Sequence, residues 1–319
     1  KPKNLPIVIW APYGFYEEYE KRNIPVDRKF ALKPNEISAE DWITTFELGM
    51  VDPISVLIQK TIADIEGDYD LDEIIKQIES EKADEKTKAA TVSLFEAAKT
   101  WRIFASKGQK GTKMSELISP GRSTILDLSC YSSIGNFNVR ALVIGLVSKR
   151  IFNDRMLARK KEEMLALQHG EDYLNQQKEK EVPLVWIFID EAHEFLPQNE
   201  KTAASDALIQ ILREGRQPGI SLVMATQQPG VIHKDAMTQS DIVITHRVTA
   251  QPDIEALNSI MQTYLLESIR KSMSDLPQAK GSAIILDDNS ERIYPIRIRP
   301  RFTWHGGEAP SSISVKKEV

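Results

Sequence analysis

With 319 residues, 41% of them apolar, the chain is long enough for one large domain or two ordinary ones, and its formal net charge of −5 excludes a protein coated in positive potential. A basic groove or pore is compatible with that balance. One cysteine, Cys130, excludes an internal disulfide, and no apolar run nears the roughly 18 residues a bilayer span needs, so a cytoplasmic protein with no membrane partner is expected.

In chain order, the sequence starts at Lys1 with neither an initiator methionine nor a signal-type segment, and LPIVIWA (5–11) already reads as a buried strand. This predicts a start partway through a longer protein. From about Asn35 to Ser106 there is no strand pattern, and Ile54, Leu57, Ile58, Ile62 and Ile65 fall at helical spacing, which predicts a helical insertion over 35–112. The stretch SKGQKGTKMS (106–115) has the composition of a phosphate loop but not its order. GxxxxGK[ST] must sit between a strand and a helix, whereas here Thr112 separates Gly111 from Lys113 and no strand leads in. It reads as a flexible basic loop.

Further runs rich in Val and Ile follow at STILDLS (123–129), LVWIFID (184–190), ISLVMAT (220–226), DIVITHRV (241–248), GSAIILD (281–287) and RIYPIRI (292–298). Most are continuously apolar, as in strands covered on both faces, and helical patterns lie between them, so the expected architecture is α/β with a mostly parallel sheet. The polar turn DDNSE joins the last two runs into an expected edge hairpin. Ala158 to Glu181 mixes charges of both signs around Gly170 and reads as a solvated helix end and a mobile connection.

The chemistry concentrates after residue 184. In LVWIFIDEAHEF, Asp190 and Glu191 sit at the carboxyl end of an apolar strand, the edge where open α/β sheets bind their ligands. An aspartate there can hold Mg²⁺ through its water shell, and a glutamate beside it can deprotonate an attacking water; in isolation the pair also fits a plain solvated strand end. The following helix, ASDALIQILREGRQPG, has Leu208, Ile211 and Leu212 at core spacing and ends in Arg213, Gly215 and Arg216. Two arginines at a rigid exposed end can be offered to a neighbouring subunit's triphosphate; the plainer role is to complement the helix dipole. The next strand ends in Thr226, Gln227 and Gln228, and an amide there can bond both the attacking water and a γ-phosphate. His193 has the apolar neighbours of a packed histidine; the alternative is a polar role at the site.

Together LVWIFIDEAHEFLP, LIQILREGRQPGISLVMATQQP, SDIVITHRVTAQPDIEAL and PIRIRPRFTWHGGEAP resemble the HerA branch of the HerA–FtsK family of RecA-like P-loop ATPases over about residues 120 to 310. The early APYGFYEEY resembles the short motif after that branch's second core strand. The resemblance implies a RecA-like core beginning in 1–34, interrupted by the all-helical insertion over 35–112, resumed over 113–300 and closed by a tail over 301–319. It implies ATP and Mg²⁺ as cofactors, and a homo-hexameric ring that pumps duplex DNA with a NurA-type nuclease in end resection and double-strand-break repair. The branch's phosphate loop and small N-terminal barrel lie before the point where this sequence starts, so the chain alone is expected to be inactive.

By the same resemblance Asp190 holds magnesium through water, Glu191 is the base, Gln227 the sensor, and Arg213 or Arg216 the finger acting in trans. Lys201, His233 and Lys234 lie in loops after core strands that face a pore, where positive side chains grip phosphates without reading sequence. Arg297, Arg299 and Arg301 alternate as if on one strand face, and the family's tail brings Arg299 and Arg301 toward the adjoining subunit's nucleotide.

Three alternatives stand beside this reading. The letters DEAH suggest a helicase with tandem RecA-like domains, but there REGR would follow ATQQ from a second domain, and too little chain remains for one. A conjugation or secretion-type coupling ATPase would share the site. A non-catalytic ring or nuclease-recruiting module would share only the surface.

Overall fold

Each of the seven predicted runs becomes a strand, and one more appears: β1 (Ile7–Pro12), β2 (Arg28–Phe30), β3 (Ser123–Leu126), β4 (Val185–Ile189), β5 (Ile220–Met224), β6 (Ile242–His246), β7 (Ser282–Asp287) and β8 (Arg292–Arg297). The structure is a computed structural model that describes residues 5–131, 138–169, 182–248, 250–260, 271–288, 290 and 292–303. Between the strands lie α1 (Tyr16–Lys21), α2 (Ala39–Thr45), α3 (Pro53–Asp64), α4 (Leu71–Ser80), α5 (Glu85–Lys99), α6 (Met114–Leu117), α7 (Val139–His169), α8 (Ser205–Glu214), α9 (Lys234–Thr238) and α10 (Gln251–Ile260). Residues 170–181, the expected mobile connection, and the HGGE phrase at 305–308 lie outside the described residues.

β1 pairs in parallel with β2 on one side and β3 on the other, with Trp10 opposite Arg28 and Ile9 opposite Ile125. β4 and β5 form a second parallel pair, Ile187 opposite Leu222. The mostly parallel pairing expected from the sequence is present, with one extension at the antiparallel end. β6, β7 and β8 form an antiparallel three-stranded sheet, so the antiparallel part is larger than the β7–β8 hairpin alone. A run of apolar residues encodes burial but not strand direction, which is set by how the connection returns.

The insertion is built from well-terminated helices. Ser38 and Asp41 form a capping box at α2, Asp70 and Glu73 another at α4, and the Asp84 side chain accepts the Thr87 amide at α5. Trp42 stacks on Phe46 and Trp101 and meets Phe95 edge-on. The chain leaves the sheet at Leu32 and returns at Phe104, where these two residues form an isolated parallel bridge. One buried cluster contains Trp10 and Phe30 from the sheet, Trp42, Ile58, Ile74 and Phe95 from the insertion, and Leu142 and Phe152 from α7. The insertion therefore shares its core with the sheet.

Helices α7 and α8 cover one face of β4 and β5: Ala141, Ile144, Leu208 and Ile209 cluster with Ile187, Ile189, Leu222 and Met224. Their approach requires Gly145, because a Cβ there would lie 2.2 Å from the carbonyl oxygen of Ala203. Arg155 of α7, 1% exposed, donates from Nε to the Pro218 carbonyl at 2.7 Å and from Nη1 to the Val182 carbonyl at 2.5 Å and to Glu162 at 3.2 Å. One buried guanidinium thus ties the starts of β4 and β5 to the same helix.

Among the described residues nothing covers the other face. Leu184, Trp186 and Phe188 of the β4 run are 56%, 65% and 71% exposed, Trp186 stacks on Phe188, and Ile125 of β3 is also exposed. Parallel strands read from sequence as covered on both faces are covered here on one. An open cleft of ≈ 900 Å³ lies where β3 and β4 approach without pairing, lined by Ile125, Leu126, Trp186, Phe188 and the α7 residues Arg140 and Ile144.

Candidate active site

The hydrogen-bond ladder between β4 and β5 runs past the strand ends, and that extension assembles the site. The Ala225 amide donates to the Ile189 carbonyl at 2.9 Å, and the Ala192 amide donates to the Ala225 carbonyl at 2.9 Å. Residues 190–193 are thereby set beside 226–228. Asp190 is exposed at the sheet edge, and its Oδ1 accepts the Glu191 amide at 3.0 Å. Glu191 occupies the left-handed region, φ 48° and ψ 46°, which costs an L-residue roughly 1–2 kcal/mol and turns the chain into the short 3-10 segment Ala192–Glu194. The turn carries the Glu191 side chain across to β5.

Gln227 Nε2 donates to Glu191 Oε1, so the acid and the amide singled out in the sequence are in contact. The second Glu191 oxygen, Oε2, is shut off from solvent and has no hydrogen-bond partner, although the side chain as a whole is about one third exposed. His193 Nδ1 stands 2.9 Å from Thr226 Oγ1 and 3.6 Å from that Glu191 oxygen. Sequence reading treated His193 as packing, and the contact with Thr226 was missed because the two lie 33 residues apart. Behind the turn, Arg140 Nη2 pairs with Glu194 at 2.7 Å, and Asn138 Nδ2 donates to the Glu194 carbonyl at 3.4 Å, so the start of α7 braces the 192–194 segment.

The arginines sit elsewhere. The turn after α8 holds Gly219 at φ 78°, and its carbonyl accepts the Val185 amide at 3.3 Å, which sets Arg216 beside the beginning of β4. Five residue steps of strand, about 17 Å, separate that point from Asp190. Arg216 is exposed and its side chain has no hydrogen bond or ion pair among the described residues. Arg213 is committed within the chain: its Nε donates to Asp235 Oδ2 at 2.9 Å and its Nη2 to the same oxygen, with Asp235 9% exposed. The choice the sequence left open between the two arginines is thus weighted toward Arg216.

Other expected residues have structural partners. Lys201 pairs with Asp206 at 2.7 Å and Glu40 at 3.6 Å, and the Asp206 carboxylate holds its ammonium above the usual lysine range. His233 caps α9, its Nδ1 accepting the Asp235 amide at 3.2 Å. Both side chains serve local structure, which leaves Lys234, exposed and with no side-chain partner among the described residues, as the available cation of that group. β8 ends at Arg297, so Arg297, Arg299 and Arg301 do not share a strand face as the alternation suggested. The Arg299 guanidinium lies 3.8 Å from the Phe302 ring centroid, and Arg299 and Arg301 line a shallow cavity with Leu5, just before β1. They lie at the amino end of β1. The basic loop at 106–113 is held against the insertion: the Lys107 amide donates to Asp70 at 3.0 Å and the Gly108 amide to Asp68 at 3.3 Å. Burial pushes the Cys130 thiol up to about 11, which disfavours the thiolate.

Among the described residues no group of three or more His, Cys, Asp or Glu side chains gathers as a metal site, and no helix is long and apolar enough to cross a membrane. Mg²⁺ needs only one or two protein carboxylates when phosphate oxygens and water complete its shell, and Asp190, exposed at the carboxyl edge, fits that requirement.

The family model described as Zonular occludens toxin (Zot) matches residues 143–251, the segment carrying the acids, the arginines and Gln227. The chain is similar to the DNA double-strand break repair helicase HerA of Pyrococcus furiosus, 27% identical over 184 residues that cover 53% of this chain and 31% of the relative. It is also similar to the probable DNA double-strand break repair helicase HerA of Methanocaldococcus jannaschii, 31% identical over 102 residues covering 32% and 20%. Two solved structures share the architecture at a TM-score of 0.53 and 12% identity: VirB4 of Thermoanaerobacter pseudethanolicus, covering 93% of this chain and 82% of that one, and the bacterial conjugative coupling protein TrwBdeltaN70, covering 94% and 75%. The fold is that of a RecA-like P-loop ATPase. In sequence, this RecA-like chain is similar to HerA-type helicases, and it spans between about a fifth and a third of the length of the curated relatives it matches.

Proposed function

We propose that this chain is the catalytic core of an ATP-driven DNA translocase or helicase subunit. Copies assemble head to tail into a hexameric ring on duplex DNA and act with a NurA-type nuclease in end resection during double-strand-break repair. The observation that carries the reading is the division of labour between two edges. Asp190, Glu191 and Gln227 meet at the carboxyl edge, while Arg216 stands uncommitted at the amino edge, too far away to serve its own acids. A heterologous interface joins one subunit's carboxyl edge to the next subunit's amino edge, and repetition of that contact closes a ring.

In this reading Asp190 holds magnesium through water, and Glu191 accepts the proton of the attacking water. Gln227 orients that water and reports the γ-phosphate, and Arg216 of the neighbouring subunit meets the charge that develops on it. Magnesium, when bound, neutralises phosphate charge. Arg299 and Arg301 approach the same neighbouring nucleotide, Lys234 faces the pore, and residues 35–112 form a helical accessory fused to the core.

The bare sheet face supports the same reading. Right-handed crossovers put α7 and α8, which carry the chain from β3 to β4 to β5, on one face; the opposite face is filled only by a crossover running the other way. A strand beyond the free edge of β5, followed by a helix lying over Trp186 and Phe188 and leading into β1, satisfies that rule. The loop between them then falls at the topological switch point beside Asp190 and Gln227, where backbone amides cradle phosphates. The segment that supplies it belongs to the remainder of the full-length protein, and the chain alone turns over ATP negligibly.

The test is steady-state ATPase of the full-length protein with and without duplex DNA. Glu191→Gln is expected to lower turnover at least a hundredfold, and Arg216→Ala about a hundredfold or more with Arg213→Ala much less affected. Mixing the Glu191→Gln and Arg216→Ala proteins restores part of the activity, because one composite site per pairing keeps both groups. Unchanged turnover in Glu191→Gln, or no recovery on mixing, overturns the shared site.

A further inference from the structure

The structure assigns His193 as a positioning residue that couples the catalytic carboxylate of β4 to the sensor loop of β5. The inference rests on the hydrolytic reading above and adds a component to it. Three contacts carry it. His193 Nδ1 is 2.9 Å from Thr226 Oγ1, the same hydroxyl oxygen accepts the Gln228 amide at 3.0 Å, and His193 Nδ1 is 3.6 Å from Glu191 Oε2. Thr226 immediately precedes Gln227, whose amide holds the other oxygen of Glu191. The circuit closes through the Thr226–Gln227 peptide, with Glu191 gripped on Oε1 by the sensor and faced on Oε2 by the histidine.

The tautomer follows from the neighbours. A bare Nδ1 lone pair would repel the Glu191 carboxylate, whereas an Nδ1–H donates to Thr226 and presents a positive edge to Oε2, which is solvent-shielded and otherwise unpartnered. A buried carboxylate oxygen without a donor is costly, and the histidine edge is the group beside it that offsets the cost. With a side chain only 16% exposed, His193 is fixed by its surroundings. A displacement of the 226–228 loop, as when Gln227 turns to a γ-phosphate, is therefore transmitted to Glu191 by two routes. One is the loss of the Gln227 bond, and the other is the pull of Thr226 on the imidazole.

Full-length protein assayed for ATPase and for melting temperature tests the assignment. His193→Ala is expected to lower kcat about tenfold to a hundredfold, the scale of a mispositioned reacting group, while KM for ATP stays within about threefold and the melting temperature is nearly unchanged. His193→Asn, whose side-chain amide replaces the Nδ1–H, should recover most of the rate, and His193→Phe, which keeps only the ring volume, should not. Thr226→Val should match His193→Ala, and the double variant should be no slower than either, because both remove one link. Wild-type rates in His193→Phe, or a double variant slowed by the product of the two single effects, would overturn the coupling. Should Glu191→Gln remain fully active, the hydrolytic reading itself falls; should it be inactive while His193→Asn behaves like His193→Ala, only the role given to His193 falls.

Discussion

The helical insertion and the β4–β5 sheet solve the burial problem differently. In α2 to α5 the apolar faces are turned onto one another: Trp42, Ile58, Ile74, Ile78 and Phe95 are essentially inaccessible, and three helix starts carry side-chain caps. In β4 the residues alternate, Ile189 buried and Trp186 and Phe188 among the most exposed large apolar side chains described. Among the described residues the insertion buries its own apolar surface, while one face of the sheet stays exposed. A helix hides its one stripe against a neighbour, but a parallel strand has two faces and the connections that run in one direction cover only one of them.

Substitutions sharpen that contrast. The largest expected effect is at the centre of the insertion: Trp42→Ala should cost about 3–5 kcal/mol in chemical denaturation, because the cavity is lined by four aromatic rings that cannot all close in. A loss below about 1 kcal/mol would mean that the insertion's core is not the tight cluster described here. Next is Trp186→Lys. In this chain the side chain is exposed, so the change should be within about 0.5 kcal/mol and should reduce self-association measured by light scattering. With the proposed helix lying over the sheet, the same lysine would be buried without a partner and should destabilise by a few kcal/mol. Equal stability effects in the two contexts would break the comparison, since the face would then be open in both. Asp70→Ala should cost about 1 kcal/mol in either context, from loss of the bonds its Oδ1 accepts from the Asp72 and Glu73 amides at 3.1 and 3.2 Å.

The two regions also differ in what their sequences disclose. Ile54, Leu57, Ile58 and Ile62 fall at helical spacing whatever surrounds them, so the insertion is legible one turn at a time. In the sheet, the position of Asp190 and Glu191 at a strand end was equally plain. Whether Trp186 would be covered was not, because an apolar residue carries no record of which element comes to lie on it. β2 was invisible for a related reason: Arg28, Lys29 and Phe30 make a strand only because β1 offers an edge beside them.

What the sequence determined by itself is local: the apolar runs, the acids that end one of them, the helix bearing Arg213 and Arg216, and the glutamine at the next strand end. These follow from periodicities and breakers that act over a few residues. Tertiary structure decided the pairings. Asp235, 22 residues on, pairs with Arg213; Thr226, 33 residues on, finds His193; and Gln227, 36 residues on, meets Glu191. Such contacts depend on the register of β4 against β5, and register is a property of two strands packed on a common helix, which no single stretch of chain contains.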